Sequence, residues 1–594
     1  MTAIFGATGR AAGAAELDRM RVALARRLPK ARRGSFTSAA GETVTLAGAD
    51  VVDLPDFAIV VTGTSSPGGR ALAARIAERG PERACDDVTG AWAFAAFDKR
   101  SGALWLGRDA TGQRVLYVAR TPGGLVFSSD TKSIHARGDV SRDLDRLALV
   151  RYLSCAYLPG DATLVRAVTE VQPGSVVRYD PDGTVTRRGF FAPEEPEDLD
   201  ALEETAEADA PRYAKSLRDT LESVVAGYLE STADRGTPCA FLSGGVDSSL
   251  VVALAARLGQ TPTCFSISFG DDLPNELVFS KMVADHVGAS HEVVTIGPQA
   301  MADRLEETLY HLDDPIGDPL TVPNFLVAEA AASRGFRRAL NGEGGDPCFG
   351  GPKNIPMLLS SWYDEDHGER ERAYVRSYQK LYDDLPRLLA PGVLDDATKD
   401  EPIEAFLTPI LAGPAKSFLN KLAHVNLSAK GGNHILVKVE KLYGAHGLVP
   451  LSPLFDPRVA MRAWETPPSL KLRGNVEKWI LKQAVADVLP AAIIERKKSG
   501  MLVPVHPWLT GPLRDVAGEL LSEASVKRRG LFEPSFVKEL LRYQGAATVR
   551  GFYGAKIWML LTLEAWMRLF LDGGAKRYEA ASAVWDDGAG PVSR

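Results

Sequence analysis

The residues best suited to chemistry lie in Ser243-Gly-Gly-Val-Asp-Ser-Ser249, which follows an apolar run and opens an amphipathic one. That order suits polyphosphate. Gly244 and Gly245 let backbone N–H groups approach anionic oxygens, Ser243, Ser248 and Ser249 donate further hydrogen bonds, and a helix start presents unpaired N–H groups with a favourable dipole. Asp247 stands where a carboxylate could hold a magnesium ion bridging the phosphates. The run matches neither GxxxxGK[ST] nor GxGxxG. Ser-Gly-Gly alone would read as a capped turn; the full run between a strand and a helix displaces that reading.

A second cluster, Asn341-Gly-Glu-Gly-Gly-Asp346, places two carboxylates three residues apart among glycines. One could bind metal while the other accepts a proton. Without the phosphate loop it would be a solvated acidic turn. Cys348 has no evident histidine partner and reads as a small buried thiol. Arg496-Lys497-Lys498 precedes Ser-Gly-Met and, taken alone, is a solvated basic face.

These residues need elements to position them. At 594 residues the chain exceeds one ordinary core, so two or more domains are expected. Short apolar runs at 57–61, 91–97, 103–106, 115–118, 125–128 and 175–179, separated by turn residues, predict a mainly antiparallel first half. Residues 194–209 contain nine acidic and no basic side chains. We expect an acidic, solvated linker at 196–210 between domains at 1–195 and 211–594, with an acidic helix start as the alternative. Beyond it, long helical stretches alternate with short strands such as 238–242 and 263–269, which argues for a parallel sheet covered by helices. After about residue 352 the pattern is almost entirely helical.

Charge and composition exclude some functions. With a net charge of -7 there is no overall basic field for nucleic acid, and none is expected as a partner. The apolar stretch at 557–571 contains Glu564 and Arg568 and is shorter than the roughly 20 residues a membrane span needs, so a buried helix is expected and no membrane partner. The first residues lack a basic and long apolar leader, which makes the cytoplasm the expected location. Five widely spaced cysteines suggest neither a disulfide framework nor structural zinc.

The run 243–249 resembles the signature of the ATP pyrophosphatase superfamily. Together with Asp313-Asp-Pro-Ile-Gly-Asp-Pro319, Asn341 to Asp346, His446-Gly-Leu-Val-Pro-Leu-Ser-Pro-Leu-Phe-Asp456 and Arg496-Lys-Lys-Ser-Gly500, the chain is similar to asparagine synthetase-like amide synthetases over nearly its whole length. The resemblance implies an α+β Ntn-hydrolase-like sandwich followed by an α/β PP-loop domain with a helical C-terminal part. It implies an ATP- and magnesium-dependent ligase that adenylates a carboxylate, releases pyrophosphate and passes the acyl group to an amine as AMP leaves. Asp346 would then contact pyrophosphate and its magnesium, and Glu343 would lie beside the acyl-adenylate as base or positioner. Asn341, Gly342 and the strand around Ile267 and Phe269 would line the nucleotide site. The family pattern Arg-x-Lys-x-Gly selects Lys498 to stabilise charge on the α-phosphate and the departing pyrophosphate. Glu276, His291 and His446 also occupy family-like positions.

The first half resembles the family's glutamine-hydrolysing domain at residues 90–98 and 108–117, but its chemistry is changed. The nucleophilic cysteine is replaced by Thr2, the substrate-holding Asn-Gly-Glu by Thr62-Gly-Thr64, and the Gly-Ser-Asp run by Ser65-Ser-Pro-Gly68. Members lacking the cysteine are similar to β-lactam synthetases and lasso-peptide cyclases, in which acid and amine belong to one molecule. The expected function is therefore intramolecular (macro)lactam formation in natural-product biosynthesis, without glutamine hydrolysis. Its substrate is a small molecule or peptide bearing both groups, with a precursor-peptide protease as companion. Glu343 favours the runner-up, an ammonia- or external-amine-dependent ligase, because β-lactam synthetases carry tyrosine there. A non-catalytic nucleotide-binding protein is the contrasting class. Val449 and Leu451 replace a charged pair usual in asparagine-forming members, implying either a repacked core or a different pocket.

Overall fold

The computed structural model describes residues 3–270, 275–351, 367–496, 500–542, 552–579 and 584–586. The alternating runs of the first half form two antiparallel sheets. One contains Phe5–Thr8, Lys30–Thr37, Thr43–Gly48, Tyr117–Thr121, Gly124–Ser128 and Val168–Glu170; the other contains Val51–Asp53, Phe57–Ser66, Thr89–Asp98, Leu104–Arg108, Ser175–Tyr179 and Val185–Gly189. Every second side chain of a strand faces the same way, so Ile4, Val44 and Leu46 meet Val60, Ala95 and Leu106 between the sheets. Helix Gly69–Arg79 covers the outer face of the second sheet with Leu72, Ala73 and Ile76. This is the α+β sandwich expected for this half.

The segment 196–210, expected as an acidic linker, is a correction. From Leu199 it forms the start of a 32-residue helix, α1 (Leu199–Glu230). A stripe of Leu199, Ala206, Ala210, Leu217, Leu221, Val224 and Val225 is buried along it, and the acidic residues gather toward its N-terminus, where the helix dipole favours them. Acidic groups here are also met directly: Glu195, just before the helix, accepts from the Ser417 backbone N–H at 3.0 Å and from Asn420 Nδ2 at 2.6 Å, and Glu207 pairs with Arg473 at 2.7 Å.

The second half is built on five parallel strands: β1 (Cys239–Phe241), β2 (Thr263–Ser268), β3 (His291–Thr295), β4 (Arg338–Leu340) and β5 (Val449–Leu451). Their order is β3-β2-β1-β4-β5. The order reverses between β1 and β4, and open α/β sheets bind ligands beyond the strand ends at such a point. Strand β5 lies in a stretch expected to be helical. It is three residues long, buried on both faces and interrupted by Pro450, so it carries no alternation to read. Val449 and Leu451 pack with Leu340 and Leu454 in the core. The charged pair has been replaced by core packing.

Helix Phe552–Phe570 is the buried helix expected near the C-terminus, with Trp558 and Trp566 fully enclosed. Among the described residues no helix is long and apolar enough to cross a membrane. The two halves meet over buried ions. Asp313 accepts from Lys132 at 2.8 Å, Lys441 at 2.5 Å and the Thr131 backbone at 2.8 Å; Asp130 bonds Lys441 at 2.7 Å and pairs with Arg27. This clamps one end of the segment 313–319, whose other end enters the site described next.

Candidate active site

Helix α2 (Val246–Arg257) begins immediately after the glycine pair that leaves β1. Gly244 adopts φ +74°, and a Cβ there would lie 2.6 Å from the Phe279 side chain and the Ser280 nitrogen, so the turn requires glycine. Ser243 and Ser248 hold the loop shut from within: their hydroxyls are 3.1 Å apart, and the Ser243 N–H donates to Ser248 Oγ at 3.2 Å. Arg496 holds it from outside, donating to the Gly244 carbonyl at 2.9 Å, pairing with Glu276 and lying 4.0 Å over the Phe279 ring.

The loop after β4 packs directly on this turn. A Cβ on Gly342 would fall 2.3 Å from the Ser248 nitrogen, and one on Gly345 would fall 2.1 Å from Asp247 Oδ1. The two glycines bring Asp346 beside Asp247. Both carboxylates reach one ammonium: Lys478 Nζ is 2.5 Å from Asp247 Oδ2 and 2.5 Å from Asp346 Oδ1. Burial alone would lower the Lys478 pKa, but Asp247 and Asp346 hold it above the ordinary lysine range. Asp247 Oδ1 is buried with no hydrogen-bond partner among the described residues. Two carboxylates converging on one point, one with an unsatisfied buried oxygen, fit a hard divalent cation that takes oxygen ligands at about 2.1 Å.

A cavity of about 390 Å³ opens from this point. It is lined by Ser243, Gly245, Asp247, Ser248, Ile267, Asn341, Gly342, Glu343 and Asp346, all sequence-predicted positions. Three other predicted residues sit apart. Gly244 shapes the turn without lining the cavity, Ser249 is fully buried one helical turn behind, and Phe269, just past β2, turns edge-on to Trp508 at 5.7 Å between centroids. Lys498 lies outside the described residues, as does Thr2. His291 is tied to Ser266 Oγ at 2.8 Å. His446 is half-buried with its ring centroid 4.3 Å from that of Phe325, and its partial burial pushes its pKa down to about 4. Neither histidine lines the cavity. Cys348 is buried, with its thiol pushed up to about 12 by burial and the nearby negative charge of Asp247, against Lys471.

Glu343 faces a group of residues that sequence reasoning did not select. Lys438, buried on the far wall, bonds Asp318 at 2.8 Å; burial would lower its pKa, yet Asp318 and Glu343 hold it above the ordinary range. Tyr443 also lines the cavity, its pKa raised first by burial and then by Glu343. Lys438 and Tyr443 lie in ordinary-looking helical sequence and Lys478 in a turn just before a helix, so no spacing marks them. Asp318, by contrast, stands inside the Asp-Asp-Pro-Ile-Gly-Asp-Pro run already singled out. Chemically, the site can hold phosphates at a helix start, screen them with a cation and Lys478, and present Glu343 to a group attacking near the α-phosphate.

The chain is similar in sequence to known proteins over most of its length. The family model described as asparagine synthase matches residues 216–568, and that described as a glutamine amidotransferase domain matches residues 65–190. A Bacillus subtilis protein named asparagine synthetase [glutamine-hydrolyzing] 1 is 26% identical over 527 residues, covering 84% of this chain and 80% of its own. A putative asparagine synthetase of Mycobacterium tuberculosis is 26% identical over 526 residues, covering 82% and 77%. A Gibberella zeae protein named amidase chry2 is 22% identical over 523 residues, covering 75% and 74%.

Proposed function

The chain belongs to the asparagine synthase family and is an ATP-dependent carbon–nitrogen ligase, and from that premise we propose that it joins a carboxylate and an amine of one molecule, drawing no nitrogen from glutamine. The observation that carries the adenylation half is the meeting of Asp247, Asp346 and Lys478 at the phosphate loop, with Glu343 lining the same cavity. The loop N–H groups and Ser243 bind the β- and γ-phosphates, and Lys478 neutralises charge on the departing pyrophosphate. Asp247 and Asp346 hold magnesium, which supplies charge stabilisation to the phosphates when bound. Lys438, anchored by Asp318, lies beside Glu343, which accepts the proton of the attacking amine.

The absence of glutamine as nitrogen donor is supported by the first domain. The Thr62, Thr64 and Ser65 hydroxyls are buried with no partners among the described residues, and where the family places an amide and a carboxylate this strand offers only hydroxyls. A glutamine side chain and α-amino group would find no carboxylate on that stretch. A linear peptide is the substrate class, a precursor-peptide protease is the companion, and the cytoplasm is the site of action. Glu343 supports the second reading, an external-amine ligase.

To test this, the protein is incubated with ATP, magnesium and a linear peptide bearing a free amine and a side-chain carboxylate, or with single amino acids plus ammonia or labelled glutamine. Loss of one water from the peptide without added amine is expected. A product formed only with ammonia, or carrying label from glutamine, overturns the cyclase reading and leaves the ligase assignment standing.

A further inference from the structure

Lys478 is held in an unusual way. It is a non-glycine residue at φ +54°, ψ 35°, a backbone conformation that costs roughly 1 kcal/mol or more. Its side chain is 3% exposed, and its ammonium lies 2.5 Å from one oxygen of each of the two carboxylates suited to a divalent cation. Those two oxygens are thus no farther apart than twice that distance. A cation bound to both would stand within a few ångströms of Nζ, where two positive charges repel strongly in a buried setting. The ammonium and the metal are competitors for one pair of ligands.

We infer that Lys478 is a built-in counter-ion, which occupies the carboxylate pair in the free protein and gives it up only when magnesium arrives already bound to ATP. The incoming nucleotide brings phosphate oxygens that take the displaced ammonium, so the charge of the exchange is balanced. Metal without nucleotide brings no such acceptor and is refused. Binding is thereby ordered, and the acidic pair does not collect free divalent ions. The inference rests on the reading in which Asp247 and Asp346 hold magnesium.

The test is a titration of the full chain with Mn²⁺, followed by electron paramagnetic resonance and calorimetry, with no nucleotide present. Wild type is expected to show no site at these residues. Lys478→Gln is expected to gain one Mn²⁺ site at least about tenfold tighter than any in wild type, which Lys478→Gln combined with Asp346→Asn abolishes. Lys478→Arg keeps the charge and is expected to remain closed to the metal. A nucleotide-free Mn²⁺ site in wild type that Asp346→Asn removes overturns the proposal, whatever the variants do. So does a Lys478→Gln protein that melts like wild type and gains no site. Failure of the ligase reading shows separately, as no AMP or pyrophosphate from any acid, and leaves the metal titration unchanged.

Discussion

Replacing Gly342 by alanine strikes the contact on which the phosphate site depends. The added methyl would stand 2.3 Å from the Ser248 nitrogen, 2.4 Å from its Cα and 2.5 Å from the Asp247 carbonyl carbon. All three are backbone atoms in the first turn of α2, so no rotamer change relieves the clash; the turn or the 341–344 loop has to retreat. Overpacking of this kind costs about 1–3 kcal/mol of stability. A displaced turn also loses at least one charge-assisted hydrogen bond to phosphate, worth about 1.5–3 kcal/mol, which corresponds to roughly 10- to 100-fold in affinity. Calorimetric titration with α,β-methylene-ATP, alongside thermal melting, measures both effects. Gly227→Ala serves as the control, since it lies within α1 with nothing within 4 Å of its Cβ; it should bind the analogue like wild type and melt at the same or a higher temperature. If Gly342→Ala binds the analogue as tightly as wild type, the placement of the phosphates against this turn is wrong.

Glu343→Gln should slow amide formation by about 10²–10⁴-fold while ATP–pyrophosphate exchange persists, because the amide cannot accept the amine proton but leaves the loop intact; equal loss of both activities would remove Glu343 from the second step. Lys441→Met leaves Asp130 and Asp313 short of a buried partner and should cost about 3–5 kcal/mol in guanidinium unfolding, whereas a change within error would mean the clamp between the halves contributes nothing. Burial pushes Lys471 down to about 7 from its ordinary 10.5, against the pull of Glu195, Cys348 and Glu203. Between those two values the unfolded chain therefore binds more protons than the folded one, and stability rises with pH across that window. Melting temperatures from pH 7 to 9 should show this rise in wild type and a flatter profile in Lys471→Met; equal slopes refute it.

The phosphate loop was legible because its chemistry is local: strand, glycines, hydroxyls and helix start are contiguous at 238–254, and the fold places them as the sequence orders them. The convergence of Asp346 on Asp247 was legible only through resemblance, since it depends on Gly342 and Gly345 letting two distant loops touch. Lys478 was not legible at all. It is a lysine between Glu477 and Trp479, and only its left-handed backbone and the packing around it carry the ammonium to the carboxylates. Strand β5 escaped because a three-residue strand buried on both faces has no period. In α1 the charge count of 194–209 outweighed the apolar stripe that begins at Leu199.

Amide formation by this chain should cleave ATP between its α- and β-phosphates. Phosphorus NMR of a reaction containing ATP, magnesium and the peptide panel tests it most directly. AMP and pyrophosphate should appear in equal amounts, in step with the dehydrated peptide or the amine adduct. Accumulation of ADP and orthophosphate with the product would contradict the account.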